Sequence, residues 1–397
     1  MKSLRILLVL TEPPLPFGGA AARWFYVLLK GLVERGHRVT TFAPCSNLRE
    51  TAKCRQVFPA TAYDLRTYPY PLRRGLGSKW QTLQRPYSYI FGPDLWRDVN
   101  FECDQGFDFL HLETTWSGWL GQGLDSSKVI LNLHSLYEID LEKAPVVGWS
   151  GRIHRFFRHR AERTLLRSFR TLLTLTPRLK EAIHAIAPGA SVHVVPLGLD
   201  VSLYPFIPPE QRPSEPVISL IGSMDWYPTR SAAARLLTRL WPAIKQQLPG
   251  AKLRLVGRNA QSALADYLPM PDVQLAENVP DTHPYFARTS VLLYAPEQGS
   301  GMKVKVLEAF AYGVPVVTTT EGVEGLPAHD GIHAGICDDD EGLVLRTVAL
   351  LSDRPKQERQ RRAARALLNA YCNPQVTLDG VERCYASLLN RHQREVA

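Results

Sequence analysis

The chain contains the stretch Pro296-Glu-Gln-Gly-Ser-Gly-Met-Lys-Val-Lys-Val-Leu-Glu-Ala-Phe-Ala-Tyr-Gly-Val-Pro-Val-Val-Thr318. An apolar run precedes it, glycines open it, and Gly313 with Pro315 end its helical part. The pattern predicts a strand, a turn, a helix and a second strand over residues 291–295, 299–301, 302–312 and 316–319. This order is typical of a βαβ unit in a parallel sheet.

The N-terminal half repeats the order. It has a predicted strand at 4–10, a loop ending in Gly18-Gly19, a helix at 20–35 and a strand at 37–43. Further apolar runs predict strands at 107–112, 129–134, 172–176, 217–223 and 252–256. The predicted fold class is therefore α/β, with two Rossmann-like doubly wound lobes that face a central cleft. Such a cleft is a common place for a ligand.

A proline-rich stretch separates the two halves. Six prolines lie between residues 195 and 216, and this density blocks both helices and central strands. The predicted division is an N-terminal lobe at 1–200, a linker at 201–216, a C-terminal lobe at 217–375 and a C-terminal helix at 376–397. We expect that helix to pack back on the N-terminal lobe.

The composition excludes several classes of protein. The 397 residues are 45% hydrophobic and 21% charged, as in globular chains, with a net charge of +9 and a pI near 9.3. The six cysteines show no Cys-x-x-Cys spacing, which argues against a zinc site or a disulfide framework. The apolar run at 4–10 is too short for a signal peptide, and no run is long enough to span a bilayer. We expect a cytoplasmic protein.

The turn at 299–301 carries the densest chemistry. Glycines at a helix N-terminus let backbone amides hold an anion, and Lys303 and Lys305 place positive charge beside them. Glu308 lies one turn further, where a carboxylate can accept hydrogen bonds from a ribose diol. This set fits a nucleoside diphosphate. The local pattern alone equally fits an ordinary turn followed by a surface ion pair between Lys305 and Glu308.

Residues 299–325 resemble the donor-binding signature of the family 4 glycosyltransferases, which have the two-lobed GT-B fold. Further pieces follow in the family's order. They are the Gly18-Gly19 loop, His134 after a strand, the 195–200 turn, Ile221-Gly222, Val256-Gly257-Arg258 and Val279-Pro-Asp281. The resemblance covers nearly the whole chain.

The resemblance implies transfer of a hexose from a nucleotide sugar, UDP- or GDP-linked, to a hydroxyl of a glycan, a lipid-linked or a small-molecule acceptor. It further implies retention at the anomeric carbon, no cofactor and no metal. The residues it marks as catalytic are His134, Lys303 and Glu308. Those it marks as donor-binding are Gly18, Gly19, Gly222, Arg230, Arg258, Gly299, Ser300, Gly301, Met302, Lys303, Lys305, Val306, Leu307 and Glu308.

The chain departs from the family pattern at two places. The family usually carries a second glutamate where this chain has Ser300, and Glu297 is a candidate replacement. The loop after residue 223 has only Arg230 where the family often has an arginine and a lysine, so we expect Arg258, Lys303 or Lys305 to supply the cation. His111-Leu-Glu113 ends another strand of the first lobe, so Glu113 could face the cleft, but a solvated loop acid is the commoner case and is our interpretation.

Residues 152–170 carry seven arginines interleaved with apolar side chains. This pattern suits a helix lying on an anionic membrane, or a surface helix packed on the first lobe by its apolar stripe; we favour the second, because the family has an arginine-rich helix at this place. The aromatic residues between 63 and 96 suit an acceptor site in the first lobe. No nucleic-acid-binding module is recognisable.

Two other functions stay open from the sequence. A non-catalytic GT-B protein that binds nucleotides as a scaffold would explain the absence of the acid at Ser300. A dehydrogenase is disfavoured because the loop before Gly19 lacks Gly-x-Gly-x-x-Gly.

Overall fold

The computed structural model describes residues 2–71 and 75–396; Met1, the stretch 72–74 and Ala397, which fall within the predicted lobe and C-terminal helix, lie outside them. The chain forms two compact units. The first comprises residues 1–138, 145–200 and 374–397, and the second comprises 139–144 and 201–373. Both units are parallel α/β structures, which confirms the predicted fold class.

The first unit contains a seven-stranded parallel sheet in the order β3-β2-β1-β4-β5-β6-β7. Its strands are β1 Arg5–Val9, β2 Arg38–Cys45, β3 Asp64–Pro69, β4 Phe109–Glu113, β5 Val129–Leu133, β6 Thr171–Thr174 and β7 Ser191–Val194. Strands β4 and β5 are buried throughout and β1 is buried after Arg5, as expected for a sheet covered by helices on both faces. The strand order reverses between β1 and β4, and their carboxyl ends mark the switch point of this sheet.

Helices connect these strands. They are α1 Ala20–Glu34, α2 Leu48–Val57, α3 Gly75–Gln84, α4 Pro93–Asp104, α5 Tyr137–Asp140, α6 Gly148–Ser168 and α7 Pro177–Ile186, with 3-10 turns at Ser88–Ile90 and Thr115–Leu120. Within the described ranges, no helix is both long enough and apolar enough to cross a bilayer.

The second unit contains a six-stranded parallel sheet in the order β10-β9-β8-β11-β12-β13. Its strands are β8 Val217–Ile221, β9 Lys252–Gly257, β10 Val273–Glu277, β11 Val291–Tyr294, β12 Val316–Thr318 and β13 Gly335–Ile336. Its helices are α8 Tyr227–Arg235, α9 Trp241–Gln247, α10 Ala260–Ala263, α11 His283–Ala287, α12 Val304–Tyr312, α13 Asp340–Ser352 and α14 Arg354–Tyr371. A π-helical turn at Leu236–Leu240 joins α8 to α9, and 3-10 turns lie at Val201–Leu203, Pro209–Gln211, Ala265–Tyr267 and Thr320–Val323. The switch point lies between β8 and β11.

The last helix, α15 Pro374–Val396, belongs to the first unit and packs on α1. The contact is close, because a Cβ on Gly31 would lie 2.1 Å from a methyl carbon of Leu378. Arg35 at the end of α1 pairs with Asp379 at 2.7 Å and with Glu382 at 2.5 Å.

The proline-rich stretch 201–216 is packed into the second unit, although the sequence analysis treats it as a separate linker. Tyr204 and Ile207 are buried there, and the amide of Ile207 donates to the Tyr312 carbonyl at 2.9 Å. The buried Arg361 lies over the Phe206 ring at 4.2 Å. Residues 139–144, predicted within the N-terminal lobe, also cluster with the second unit. Both differences arise from contacts with residues distant in sequence.

Candidate active site

The switch point of the second sheet brings Gly222 and Lys305 together. Gly222 follows β8, and Lys305 lies in the first turn of α12, which follows β11. A Cβ on Gly222 would lie 2.6 Å from Lys305 Cε, so a glycine is needed for the lysine to pass. A Cβ on Gly257, at the end of β9, would lie 1.8 Å from the Gly222 carbonyl oxygen. The two glycines therefore allow the ends of β8 and β9 to approach each other closely, and Gly222 leaves room for the lysine.

Lys305 lies in an environment that disfavours its charge. Its Nζ donates to Thr229 Oγ1 at 3.0 Å and lies 4.2 Å from the centre of the Tyr294 ring. Burial, and next the charge of Lys303, lower the pKa of Lys305 to about 7. A bound anion would offset both effects. The position therefore suits a group that gains its proton when a phosphate binds.

Lys303 is buried and already surrounded by oxygen atoms. Its Nζ donates to the Gly301 carbonyl at 2.6 Å and to Glu324 Oε2 at 3.2 Å, and Glu321 Oε1 lies 3.7 Å away. Gly299 is next to it, since a Cβ there would lie 3.4 Å from Lys303 Cε. Lys303 thus holds the Gly299–Gly301 turn to the segment after β12. Gly301 has φ +72°, a conformation that favours glycine.

Ser300 contacts an acid from a distant segment. Its hydroxyl donates to Asp140 Oδ1 at 2.9 Å, and both side chains are buried. Asp140 lies in the 139–144 segment, which is anchored in the second unit by Tyr227 and Gln298. Asp140 could not be identified from the sequence, because nothing in its local pattern marks it.

Glu297, the candidate replacement for the missing acid, lies elsewhere. Its carboxylate pairs with Arg239 at 2.7 Å and lies 3.9 Å from Arg235. It is bound to the arginines of the α8–α9 segment and partly exposed, while Ser300 is buried against Asp140. The structure therefore gives no support to that substitution.

Four more residues that the family resemblance marks as donor-binding lie on α12 or just before it. Glu308 is buried on α12, one turn beyond Lys305, and Met302 is buried just before the helix. Val306 and Leu307 point into the core, and their amides donate to the Lys303 carbonyl at 2.8 and 3.3 Å. Those two amides are thus engaged in the first helical turn, which leaves the preceding turn as the place for an anion.

The two arginines marked from the sequence differ in burial, because Arg258 is exposed and Arg230 is half-buried. Arg258 is exposed, and its carbonyl accepts the Met224 amide at 3.0 Å. The guanidinium of Arg230 lies 5.9 Å from the centre of the Tyr227 ring. Lys303 hydrogen-bonds within the glycine turn, and Lys305 lies against Gly222.

The glycine loop of the first unit is closed by its own side chains. Glu12 Oε1 accepts the Ala22 amide at 2.8 Å, and a Cβ on Gly19 would lie 2.5 Å from that oxygen. Arg23 donates to the Gly18 carbonyl at 2.8 Å. Glu12 therefore occupies the N-terminus of α1, where the sequence analysis expected a donor contact, and Gly18 and Gly19 make room for it.

His134 contacts a buried carboxylate in the first unit. Its Nε2 lies 2.8 Å from Glu113 Oε2, and the rings of Trp24 and Phe25 lie 5.7 and 5.8 Å away. Glu113 is fully buried at the end of β4, so its interpretation as a solvated loop acid is wrong. Burial by itself would raise the pKa of Glu113, but the imidazoles of His111 and His134 lower it to about 2. The signal in the sequence was the position of Glu113 at the switch point, next to His111.

The arginine-rich segment forms α6, whose two ends differ. Leu165 and Leu166 are buried, whereas Trp149 and Phe156 are 78% and 60% exposed. Arg163 pairs with Glu138.

Among the described residues, no group of three or more His, Cys, Asp or Glu side chains is arranged to hold a metal ion.

Two family models match the chain. Residues 18–198 match the model described as a glycosyl transferase 4-like domain, and residues 215–353 match the model described as glycosyl transferases group 1. Together these matches cover most of both units. A search of curated proteins finds no match.

Solved structures share the whole fold at low sequence identity. Sucrose-phosphate synthase from Thermosynechococcus elongatus is 16% identical with a TM-score of 0.71, and the match covers 97% of this chain and 99% of that chain. Anabaena HepE in complex with UDP-glucose is 13% identical with a TM-score of 0.68, covering 96% and 100%. WaaG, a glycosyltransferase involved in lipopolysaccharide biosynthesis, is 16% identical with a TM-score of 0.58, covering 93% and 97%. These likenesses establish the GT-B fold.

Proposed function

Because the chain belongs to the glycosyltransferases of group 1, with a glycosyl transferase 4-like domain in its N-terminal half, we propose that it moves a hexose from a nucleotide sugar to an acceptor hydroxyl. In this reaction the acceptor oxygen bonds to the anomeric carbon as the bond from that carbon to the diphosphate breaks. The hydroxyl proton leaves with the nucleoside diphosphate. We propose retention of configuration, and no resident metal.

The position of Lys305 carries the proposal. Its ammonium group lies among Gly222, Thr229 and Tyr294 at the switch point of the second sheet, where doubly wound folds bind ligands. A partly desolvated lysine beside a glycine turn stabilises developing negative charge more strongly than an exposed one. Its role is to neutralise the leaving diphosphate, with Lys303 holding the turn in place.

The other residues take the remaining roles. Glu308 accepts hydrogen bonds from the ribose hydroxyls, and the backbone of the Gly299–Gly301 turn contacts the phosphates. His134 contacts the sugar or acceptor. The HepE structure holds UDP-glucose, which supports a UDP-linked donor, and a GDP-linked donor is the alternative. The acceptor is a glycan, a lipid-linked or a small molecule.

The test is a thermal-shift panel of nucleoside mono- and diphosphates and nucleotide sugars, read against Lys305→Gln. A ligand at one hundred times its Kd raises the unfolding free energy by roughly 2.7 kcal/mol, which gives a measurable shift. We expect a shift with UDP or GDP that is reduced in the variant. No shift with any diphosphate would contradict the proposal. Binding without subsequent sugar transfer to any acceptor would favour the non-catalytic scaffold.

We further propose that the start of α6 contacts an anionic membrane. Val147, Trp149, Ile153 and Phe156 expose large apolar surfaces together, with Arg152 lying 5.5 Å from the Trp149 ring. Apolar side chains flanked by arginines suit the boundary between lipid headgroups and acyl chains. This placement supports a lipid-linked acceptor.

Vesicle sedimentation tests the membrane contact. The wild type should sediment with vesicles that contain phosphatidylglycerol, and Trp149→Ala/Phe156→Ala should not. Phe101→Ala is the matched control, because Phe101 is an equally exposed aromatic on α4. Absence of wild-type binding, or equal binding by the double variant, would contradict the proposal.

A further inference from the structure

Glu113 collects hydrogen-bond donors from several elements of the first unit. Trp24 Nε1 lies 2.9 Å from Oε1, Asn132 Nδ2 lies 3.1 Å from Oε2, and His134 Nε2 lies 2.8 Å from Oε2. His111 Nε2 lies 3.1 Å from Oε1, without hydrogen-bond geometry. Every group that faces the carboxylate is a donor or can be one. Glu113 is therefore an anion held in place from all sides, and it can only accept hydrogen bonds.

This anion determines which nitrogen of His134 carries the proton. A neutral imidazole has one N–H and one lone pair, and a lone pair facing a carboxylate would be repelled. The proton therefore lies on Nε2, towards Glu113. The lone pair lies on Nδ1. Trp24 and Phe25, packed against the ring, restrict its rotation.

His111 connects Glu113 to Tyr385 of the C-terminal helix α15. His111 Nε2 lies 3.1 Å from Glu113 Oε1 without hydrogen-bond geometry, but a lone pair at that distance would be repelled by the carboxylate. We therefore assign the His111 proton to Nε2 and its lone pair to Nδ1. The Tyr385 hydroxyl lies 2.7 Å from that Nδ1 and is the donor that completes the pair. Tyr385 is buried in α15 and stacks on Phe109 of β4 at 4.9 Å. The chain of contacts runs Tyr385, His111, Glu113, His134.

We propose that Tyr385, His111 and Glu113 are positioning residues that hold His134 with its proton on Nε2, so that Nδ1 accepts a hydrogen bond from a substrate hydroxyl. The identity of that substrate rests on the proposed function, whereas the tautomer does not. In this arrangement His134 binds a hydroxyl and does not donate to an oxyanion. The C-terminal helix thus contributes to the orientation of a site residue through two intervening side chains.

The tautomers are measured by long-range ¹H–¹⁵N correlation NMR on the ligand-free full chain, labelled at its histidines. His134 and His111 are assigned through their own His→Gln variants. We expect Nε2–H for both rings in the wild type. Tyr385→Phe should shift the Nδ1 resonance of His111, because that lone pair loses its donor, and should lower kcat roughly threefold to tenfold, with the donor KM changed less than kcat. Tyr371→Phe, which removes a phenol oxygen away from these contacts, should change neither.

Glu113→Gln is the stronger variant. It should release His134 into a mixture of tautomers and lower kcat by on the order of 100-fold. If Glu113→Gln fails to fold, the NMR spectra of the wild type and of Tyr385→Phe still test the proposed tautomers. An Nδ1–H form of His134 in the wild type, or a His111 signal unaffected by Tyr385→Phe, would overturn the proposal. A failure of glycosyl transfer would leave the NMR result standing, so the two failures are distinguishable.

Discussion

The Ser300 hydroxyl donates a hydrogen bond to the Asp140 carboxylate across 2.9 Å. Residue 300 lies in the glycine turn, and residue 140 lies in a segment of the first half of the chain that clusters with the second unit. The position that departs from the family pattern is therefore paired with an acid supplied by another segment. This pairing explains why a serine is tolerated at position 300, because a glutamate there would face a second buried carboxylate.

Ser300→Glu should therefore destabilise the protein. Two carboxylates at this distance repel, and we expect a loss of about 2 kcal/mol, or roughly 4–8 °C in Tm at 2–4 °C per kcal/mol. Thermal unfolding measures it. Asp140→Ser/Ser300→Glu moves the acid to position 300 and the hydroxyl to position 140, and should recover most of the loss. Equal stability of Ser300→Glu and the wild type would show that the contact is unimportant.

Lys305 should make nucleotide binding depend on pH. Its pKa is lowered to about 7 in the free protein, and a bound diphosphate favours the charged form and raises that pKa. Binding must then take up protons near pH 7–8, and Kd should rise up to about tenfold per pH unit above 7. Calorimetry in two buffers of different ionisation heat counts the protons. Lys305→Gln removes the proton uptake that is due to the lysine and leaves the uptake that is due to the phosphate itself. Equal proton uptake by both proteins would contradict the assignment.

Gly222→Ala and Gly257→Ala should differ in their effect on nucleotide binding. The new Cβ at 222 meets Lys305 Cε, so the ammonium must move, and the φ of +159° strains any residue other than glycine there. We expect Kd for the nucleotide to rise about tenfold and Tm to fall. The new Cβ at 257 meets a backbone oxygen and should lower stability substantially. Two variants with equal Tm and equal affinity would refute the close approach.

Glu308 should recognise the ribose. Glu308→Ala should weaken nucleotide binding by about 1.5–3 kcal/mol, because hydrogen bonds to a charged carboxylate are lost. Measuring Kd of the wild type and of Glu308→Ala for the nucleotide and for its 2′-deoxy and 3′-deoxy forms isolates the contact between the carboxylate and each ribose hydroxyl. The wild type should discriminate against at least one of them, and the variant should not. Discrimination that survives the substitution would return Glu308 to a structural role.

The sequence was sufficient to predict the strand, turn and helix that build the candidate site of the second unit. It was insufficient to predict which side chains contact the site residues. The β11–turn–α12 unit follows from apolar periodicity and glycine placement, which are local properties. Strand β3 was missed, because its residues are only partly buried and show no clean alternation. The partners of Glu113, Ser300 and Lys303 are up to 160 residues away, as for Asp140 and Ser300. Such contacts are produced by topology, and no local pattern encodes them.

Turnover of a nucleotide sugar tests the central claim most directly. Release of nucleoside diphosphate from UDP-glucose and from GDP-mannose is followed by mass spectrometry for the wild type and His134→Ala. We predict that the wild type releases UDP or GDP from one donor, and that His134→Ala binds this donor with similar affinity while releasing nucleotide at least tenfold more slowly. Unaltered release by His134→Ala would remove the histidine from the mechanism. A wild type that binds neither donor would contradict the account itself.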